Sequence, residues 1–387
     1  MTGKLGSFAH ISELYVSNYL KKPTIKGQST LIHLLDHLEE DALKTLTKNC
    51  GQPTYRAAQL RQWVVASRAG GFDEMSNLPK KFREELTKQT QLWTSQVVKH
   101  TQAEDGTEKI LLQLADGGQI ECVLLRDGHR ITICISTQVG CAMGCVFCAS
   151  GLDGVDRNLT TGEIIEQMLL LQRLLPEDQR LSHIVVMGMG EPLANIDSLL
   201  PALDFACSPD GLGIGARRIT ISTVGLPTAI DKLSEINARY NLAVSLHAPN
   251  DELRNEIVPI NKNIGIDQIL TASDHYFEVS GRQLTFEYVL LYKVNDRPEH
   301  ARQLAQLLKN RQAMLNVIPY NPVEGLPYKT PSNNAQHDFR RILEDAGITV
   351  KFRHRKGDKI NAACGQLRRS NSGLVQLEEP EVPESSD

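Results

Sequence analysis

The sequence predicts an α/β protein, a parallel β-sheet with its helices outside, preceded by a small N-terminal helical domain. Two patterns and one cluster lead there. Residues up to about 100 place apolar side chains at helical spacing without a strand pattern, whereas from residue 131 short apolar runs alternate with helical segments. Such alternation buries a parallel sheet under its own crossover helices. The loop directly after the first apolar run holds Cys141, Cys145 and Cys148, and in barrels of this class reactive groups collect at the C-terminal ends of the strands.

In chain order, Leu31–Leu46 and Ala57–Ala66 read as amphipathic helices. From Lys109 to Leu125 the pattern changes to short alternating runs on either side of Asp116-Gly117-Gly118, which predicts a hairpin. Strands follow at Ile131–Ser136, Ile184–Met187, Ile219–Ser222, Leu242–Ser245, Leu284–Leu290, Leu315–Ile318 and Ile348–Arg353. Helices between them include Gly162–Leu175, Thr228–Asn237, His300–Leu308 and Ala335–Asp345, with Thr160 and Glu163 at capping-box spacing before the first. The pattern leaves open whether the sheet is flat or curled into a barrel. It divides the chain into a helical accessory domain at 1–100, a hairpin linker at 101–130, a core at 131–370 and a disordered acidic tail at 371–387.

The composition, 41% hydrophobic and 23% charged, is that of an ordinary globular protein, and no apolar run approaches the length of a membrane span. The formal charge of −4 hides a contrast. The tail from Asn371 to Asp387 carries five acids and no base, so the rest of the chain stands at +1, with basic knots at Lys80-Lys81, Arg217-Arg218 and Lys351 through Lys359. Such a body can meet a polyanion, although the tail would weaken that contact if it lay nearby. Eight cysteines in 387 residues are too few for a disulfide framework. The N-terminus shows no charged–apolar–small leader, so a reducing, cytoplasmic location is expected.

The C-x3-C-x2-C spacing of Cys141, Cys145 and Cys148 carries the chemistry. Structural zinc takes four protein ligands, commonly in separated pairs, and no second pair or His-x3–5-His partner stands at a suitable spacing. Iron–sulfur clusters are normally held by four cysteine thiolates. Three thiolates this close can hold three corners of a [4Fe–4S] cubane and leave the fourth iron open to another molecule. An open iron is a reaction site.

A triad in that position resembles the radical S-adenosylmethionine (SAM) superfamily. Gly188-Met189-Gly190-Glu191-Pro192, after the second strand, is similar to the superfamily's GGEP-type motif. Its glycines let the backbone come close, and a carbonyl or Glu191 can receive the ammonium of SAM. Other stretches narrow the likeness: Cys134 through Cys141, Ser222-Thr223, Ser245 through Asn250, Ile257 through Lys262, Pro319 through Pro322 and Ala362 through Leu367. Together they resemble the RNA adenine-C2 methyltransferase family, dual in specificity for ribosomal and transfer RNA. The likeness runs from roughly Asp105 to Leu367, with looser matches at Tyr55 through Leu60 and Trp63.

The resemblance implies a partial (βα)6 TIM-like barrel of the radical SAM type, a [4Fe–4S] cluster on Cys141, Cys145 and Cys148, and two SAM molecules per turnover. It implies that Cys364 becomes S-methylcysteine, that its carbon joins C2 of the base in a covalent enzyme–RNA adduct, and that Cys134 resolves the adduct through a transient disulfide with Cys364. Glu121 stands where the family's proton acceptor lies. Gly190, Glu191, Ser222, Ser245, Leu246, His247 and Asn321 fall along the implied SAM pocket. A radical route suits the target, because C2 of adenine has no lone pair and cannot attack the methyl of SAM as a nucleophile. The implied partners are unassembled 23S rRNA, tRNA and an electron donor such as flavodoxin, with the protein monomeric and away from membranes. Recognition would rest on RNA shape and an extruded base. Cys50, Cys122 and Cys207 match no family position and read as structural, and Asn361 stands where the family more often has Asp. The alternatives are a sister enzyme that methylates C8, and a zinc-bound RNA-binding module without catalysis.

Overall fold

The computed structural model describes residues 31–236, 239–353 and 360–368; the acidic tail expected at 371–387 lies outside them. The main body is a ten-stranded sheet in which strand order follows chain order. Four strands lead in, each antiparallel to the next: β1 (Gln96–Gln102), β2 (Glu108–Gln113), β3 (Gln119–Asp127) and β4 (Arg130–Cys134). From β4 onward every pairing is parallel, through β5 (His183–Val186), β6 (Ile219–Thr223), β7 (Asn241–Ser245), β8 (Leu284–Leu290), β9 (Ala313–Pro319) and β10 (Val350–Phe352).

Helices fill every parallel connection: Thr161–Arg173, Ile196–Cys207, Pro227–Glu235, the pair Asp251–Ile257 and Ile266–Ser280, Pro298–Leu308, and Asn333–Asp345. Right-handed crossovers that always step to the adjacent strand in one direction place all helices on the same face. The sheet therefore winds as the partial (βα) barrel that the resemblance implies, with β1 and β10 at its ends. Thr160 caps the first crossover helix as its spacing predicts, in a complete capping box with Glu163.

Register separates the two faces. Ile133, Ile184 and Ile219 lie side by side, as do Val186, Ile221, Leu242 and Leu284, and Val244, Phe286 and Leu315. All are at most 2% exposed; each such side chain contributes about 1.5–3 kcal/mol by leaving water. The opposite face pairs Ser222 with Ala243, and Ser245 with Glu287 and Asn316. Alternation along each strand thus gives an apolar back under helices and a polar lining to the interior.

The N-terminal module packs helices Glu40–Asn49, Arg56–Val65 and Lys80–Gln89. Asp36 accepts the Gly162 N–H at 2.5 Å, and His33 Nε2 lies 3.1 Å from Glu166 Oε2. Arg68 donates to the carbonyls of Leu175 and Gln179.

The first hundred residues are not free of strands. Ile32–His33 pairs with Thr90–Gln91, and β1 joins the expected hairpin to make an antiparallel meander continuous with the core. β1 is exposed or half-exposed along its whole length, so no apolar alternation marks it. The helix expected from Leu31 begins only at Glu40, after a single 3-10 turn at Leu34–His37.

Candidate active site at the mouth of the barrel

The cysteine loop leaves β4 through a short antiparallel ribbon, Gln138–Gly140 against Val155–Asn158. Its backbone is pinned twice: the Cys141 N–H donates to the Gly154 carbonyl (2.8 Å) and the Val146 N–H to the Ile257 carbonyl (3.1 Å). Phe147 anchors it in a small apolar cluster with Val224, Val258, Leu291 and Tyr320, and meets the His247 ring edge-on with centroids 4.8 Å apart. All three cysteines are free and half-buried. Burial pushes the Cys141 thiol up to about 12, and raises Cys145 and Cys148 as well; Cys145 also feels both of its neighbours. The three thiols lie within electrostatic reach of one another, so ionising all of them would require a positive centre between them.

The Gly188–Pro192 turn lies against the segment that follows β4. A Cβ on Gly188 would sit 2.6 Å from the Ile135 carbonyl oxygen, and one on Gly190 would sit 2.8 Å from the Gln138 nitrogen at φ +103°. Both positions require glycine. Glu191 is 3% exposed and accepts from the Leu193 N–H (3.0 Å) and the Val224 N–H (2.7 Å). Burial raises its pKa, while the Val224 N–H, the Thr223 hydroxyl and the Leu193 N–H hold it down. Its carboxylate is a strut between β5 and β6.

Ser222 and Ser245 stand half-buried on the interior face. Leu246 is fully buried; its N–H donates to the Glu287 carbonyl and its carbonyl accepts from Arg254. His247 takes a left-handed φ of 62° and accepts the Val289 N–H through Nδ1. Asn295 donates to the His247 carbonyl at 2.9 Å. Burial, then the Arg254 charge, lowers the His247 pKa to about 3, so the ring is neutral and acts as a support for Phe147. Asn321 donates to the Cys364 carbonyl at 3.2 Å, and its own Oδ1 is buried without a partner, as is Thr137 Oγ1. Unfilled acceptors at a barrel mouth fit a ligand rich in donors, as SAM is.

Cys364 is the exposed cysteine among the eight. Its segment is tied to the cysteine loop by Ala149 N–H to Gly365 O (2.8 Å) and Ser150 Oγ to Leu367 O (2.6 Å). On the other side, Arg368 N–H donates to Glu121 (3.0 Å), and Lys109 bridges Glu121 (2.7 Å) and the Asn361 carbonyl (3.1 Å). Asn361 has φ 52°, a left-handed geometry that Asn tolerates better than most residues. Cys134 lies on the interior face opposite Val123, two residues along β3 from Glu121. Burial raises its thiol to about 12, and Cys364 is close enough to raise it further. No standing disulfide joins the pair, because all eight cysteines are free. Burial raises the Glu121 pKa against the pull of Lys109.

Sequence reasoning missed Arg254, Lys109, Gln138 and Asn295. Gln138 holds the Glu191 N–H at 2.8 Å, and Asn295 joins the loop after β8 to His247. Two carried a visible signal: Gln138 lies inside the recognised stretch Cys134 through Cys141, and Arg254 lies between Ser245 through Asn250 and Ile257 through Lys262.

The Radical SAM superfamily model matches residues 135–305, and the Ribosomal RNA large subunit methyltransferase N-terminal domain model matches residues 32–92. A crystal structure of a radical SAM methyltransferase from Sphaerobacter thermophilus superposes with a TM-score of 0.84 at 41% identity, covering 87% of this chain and 99% of that one. Fold and site together define a radical SAM enzyme. A probable dual-specificity RNA methyltransferase RlmN from Rhodopirellula baltica is 64% identical over 87% of this chain and 90% of its own length. Another of that name, from Symbiobacterium thermophilum, is 46% identical over 86% of this chain and 89% of its own. The chain belongs to the RlmN family. This membership sets aside the non-catalytic zinc module.

Proposed function

We propose that this enzyme methylates C2 of adenosine 2503 in 23S rRNA and of adenosine 37 in tRNAs, with Cys364 carrying the methyl and Cys134 resolving the adduct. The observation that carries this reading is the placement of Cys364. It is the exposed cysteine, on a segment fastened between the cysteine loop and Glu121, with Cys134 within electrostatic reach.

Cys141, Cys145 and Cys148 would hold the [4Fe–4S] cluster. The Gly190 turn, Ser222, Ser245, the Leu246 and His247 backbone and Asn321 would line the site for SAM, of which two are used per turnover. Bound together, cluster and SAM supply a carbon-centred radical able to remove hydrogen from an unactivated methyl group. Cys364, whose thiol burial raises, must lose its proton before Sγ takes a methyl from one SAM, with S-adenosylhomocysteine as the leaving group; Asn321 and Ala149 hold its backbone so that it presents the methyl to C2. Glu121, whose pKa burial raises, accepts the C2 proton in its ionised form as the adduct gives up its unpaired electron, which returns to the cluster. Cys134 then attacks the Cys364 sulfur as a thiolate; the S–C bond breaks, its electron pair takes up a proton on carbon to give the C2 methyl, and the two sulfurs are left as a transient disulfide that an external dithiol must reduce. Residues 31–95 would help to hold structured RNA. Tyr292, 40% exposed in the loop after β8 with Lys293 over its ring, gives the mouth a surface on which a base can stack. The expected setting is cytoplasmic, with a monomeric enzyme and a flavodoxin-like reductant. Among the described residues no helix is long and apolar enough to cross a membrane.

Cys134→Ala tests the assignment. The variant should accumulate a covalent enzyme–RNA adduct, because attachment through Cys364 survives and resolution does not. No crosslink in a preparation that still cleaves SAM would refute the roles. Co-migration of the product with C2- and C8-methyladenosine standards fixes the carbon.

A further inference from the structure

Arg254 is 0% exposed and is the bulkiest fully buried side chain among the described residues. Its guanidinium donates from Nε to Leu246 O (3.0 Å), from one terminal nitrogen to Asn261 Oδ1 (2.5 Å), and from the other to Val224 O (2.6 Å) and Ser245 O (3.0 Å). Every one of these acceptors is a neutral amide oxygen. The nearby carboxylate of Asp251 is turned to Asn261 Nδ2 (2.8 Å) and the Ile266 N–H (2.9 Å). A buried cation held only by neutral groups costs several kcal/mol, and nature retains one where an anion completes it.

The anion is close at hand. Helix Asp251–Ile257, which carries Arg254, ends on the carbonyl that accepts the Val146 N–H inside the cysteine loop. Val224, whose carbonyl Arg254 holds, packs in the same cluster as Cys145 and Cys148. We infer that Arg254 is the built-in counter-charge of the iron–sulfur site, a cation buried beside Cys145 so that three thiolates and their cluster can keep net negative charge inside the barrel. The inference rests on the cluster reading above. Reduction adds one more negative charge at the same place, so Arg254 favours the reduced state and raises the midpoint potential. It acts through the cluster and is a positioning residue.

The test compares Arg254→Lys and Arg254→Met with the parent protein, each purified anaerobically. Parent protein should first show about four irons per chain; failure there would overturn the cluster reading itself. With cluster loaded, Arg254→Met should show a more negative midpoint potential in an EPR-monitored titration, and Arg254→Lys should recover most of the shift. Thermal melts separate charge from bracing. Arg254→Met should lower the melting temperature of the loaded protein clearly more than that of the cluster-free protein, where it removes a charge that only Asp251 counters from nearby. Equal losses in both forms, an unchanged potential, or a Met variant that cannot fold even without cluster would make Arg254 a brace and overturn the inference.

Discussion

Lys109 Nζ and Glu121 Oε1 meet 2.7 Å apart at the base of the segment that carries Cys364. The same ammonium holds the Asn361 carbonyl, and the second carboxylate oxygen holds the Arg368 N–H. One buried ion pair thus grips both ends of a short strap. It also sets the pKa of Glu121, which burial raises and Lys109 pulls back down.

Glu121→Gln keeps an acceptor for Arg368 and removes the proposed base. Turnover should fall by about 10²–10⁴-fold, the usual worth of a positioned proton acceptor, while methylation of Cys364 persists and the RNA adduct accumulates. Intact-protein mass spectrometry reads both. Turnover within a factor of about two of the parent would remove Glu121 from the mechanism.

Lys109→Met takes away the charge that restrains Glu121, so the carboxyl pKa climbs further. A base works only when ionised. The acid limb of the pH–rate profile should therefore move to higher pH, with little change on the alkaline side. An unmoved limb would mean that Glu121 does not titrate in the rate-determining state.

Much of this arrangement was legible in the sequence because it rests on strong local rules. The seven parallel strands fell where apolar runs lay, since the back of every strand is buried under helices. The capping box at Thr160 was visible for the same reason. β1 was not, because its pairing comes from the backbone of β2 while its side chains face water. Helix Ile196–Cys207 was hidden by Pro201 in its interior. Within the site, the motifs located the cysteines but not Lys109, whose role appears only when β2 is laid beside β3 and the strap crosses both. Long-range polar contacts have no period along a chain.

Gly190→Ala should disable the cofactor turn without unfolding the barrel. The new methyl would sit 2.8 Å from the Gln138 nitrogen at φ +103°, a strain on the order of 1–3 kcal/mol before the contact is relieved. SAM binding by calorimetry should weaken more than tenfold. Gly128→Ala is the control: its φ is +57° and nothing lies within 4 Å, so it should cost only about 1 kcal/mol and leave binding alone. Equal effects of the two variants would show that strain alone, and not the turn's closeness to the site, is responsible.

Phe147→Ala removes the ring that pins the cysteine loop to His247. The edge contact is worth about 0.5–1.5 kcal/mol beyond burial. The loop should therefore hold iron less firmly, and cluster loss in air, followed at the absorbance of the brown protein, should accelerate severalfold. Because His247 is neutral down to about pH 3, the rate of loss in the parent should not change between pH 5 and 8 on its account. A pH-dependent step in that range which His247→Gln abolishes would contradict the assignment.

The N-terminal module should loosen from the barrel in alkali before the barrel itself unfolds. His33 lies between Asp36 and Glu166; burial opposes its charge, but the two carboxylates outweigh burial and lift its pKa from 6.5 to about 9. A raised folded-state pKa gives stability that is complete below 6.5 and is lost as pH climbs through about 9. Asp36 and Glu166 are lowered despite burial, chiefly by the His33 ring beside them, so their share is present above the ordinary carboxylate values and lost as pH falls through the lowered ones. The docking is therefore firmest in mildly acidic solution. His33→Gln should cost on the order of 2–3 kcal/mol at pH 6 and converge with the parent by pH 10. Hydrogen exchange at the Thr94 and Ser95 amides, which Glu166 accepts at 3.2 and 2.8 Å, reads the module's release directly. A parent protein whose exchange at those amides, corrected for intrinsic rate, is the same at pH 6 and pH 10 would show that the His33 charge does not hold the two parts together.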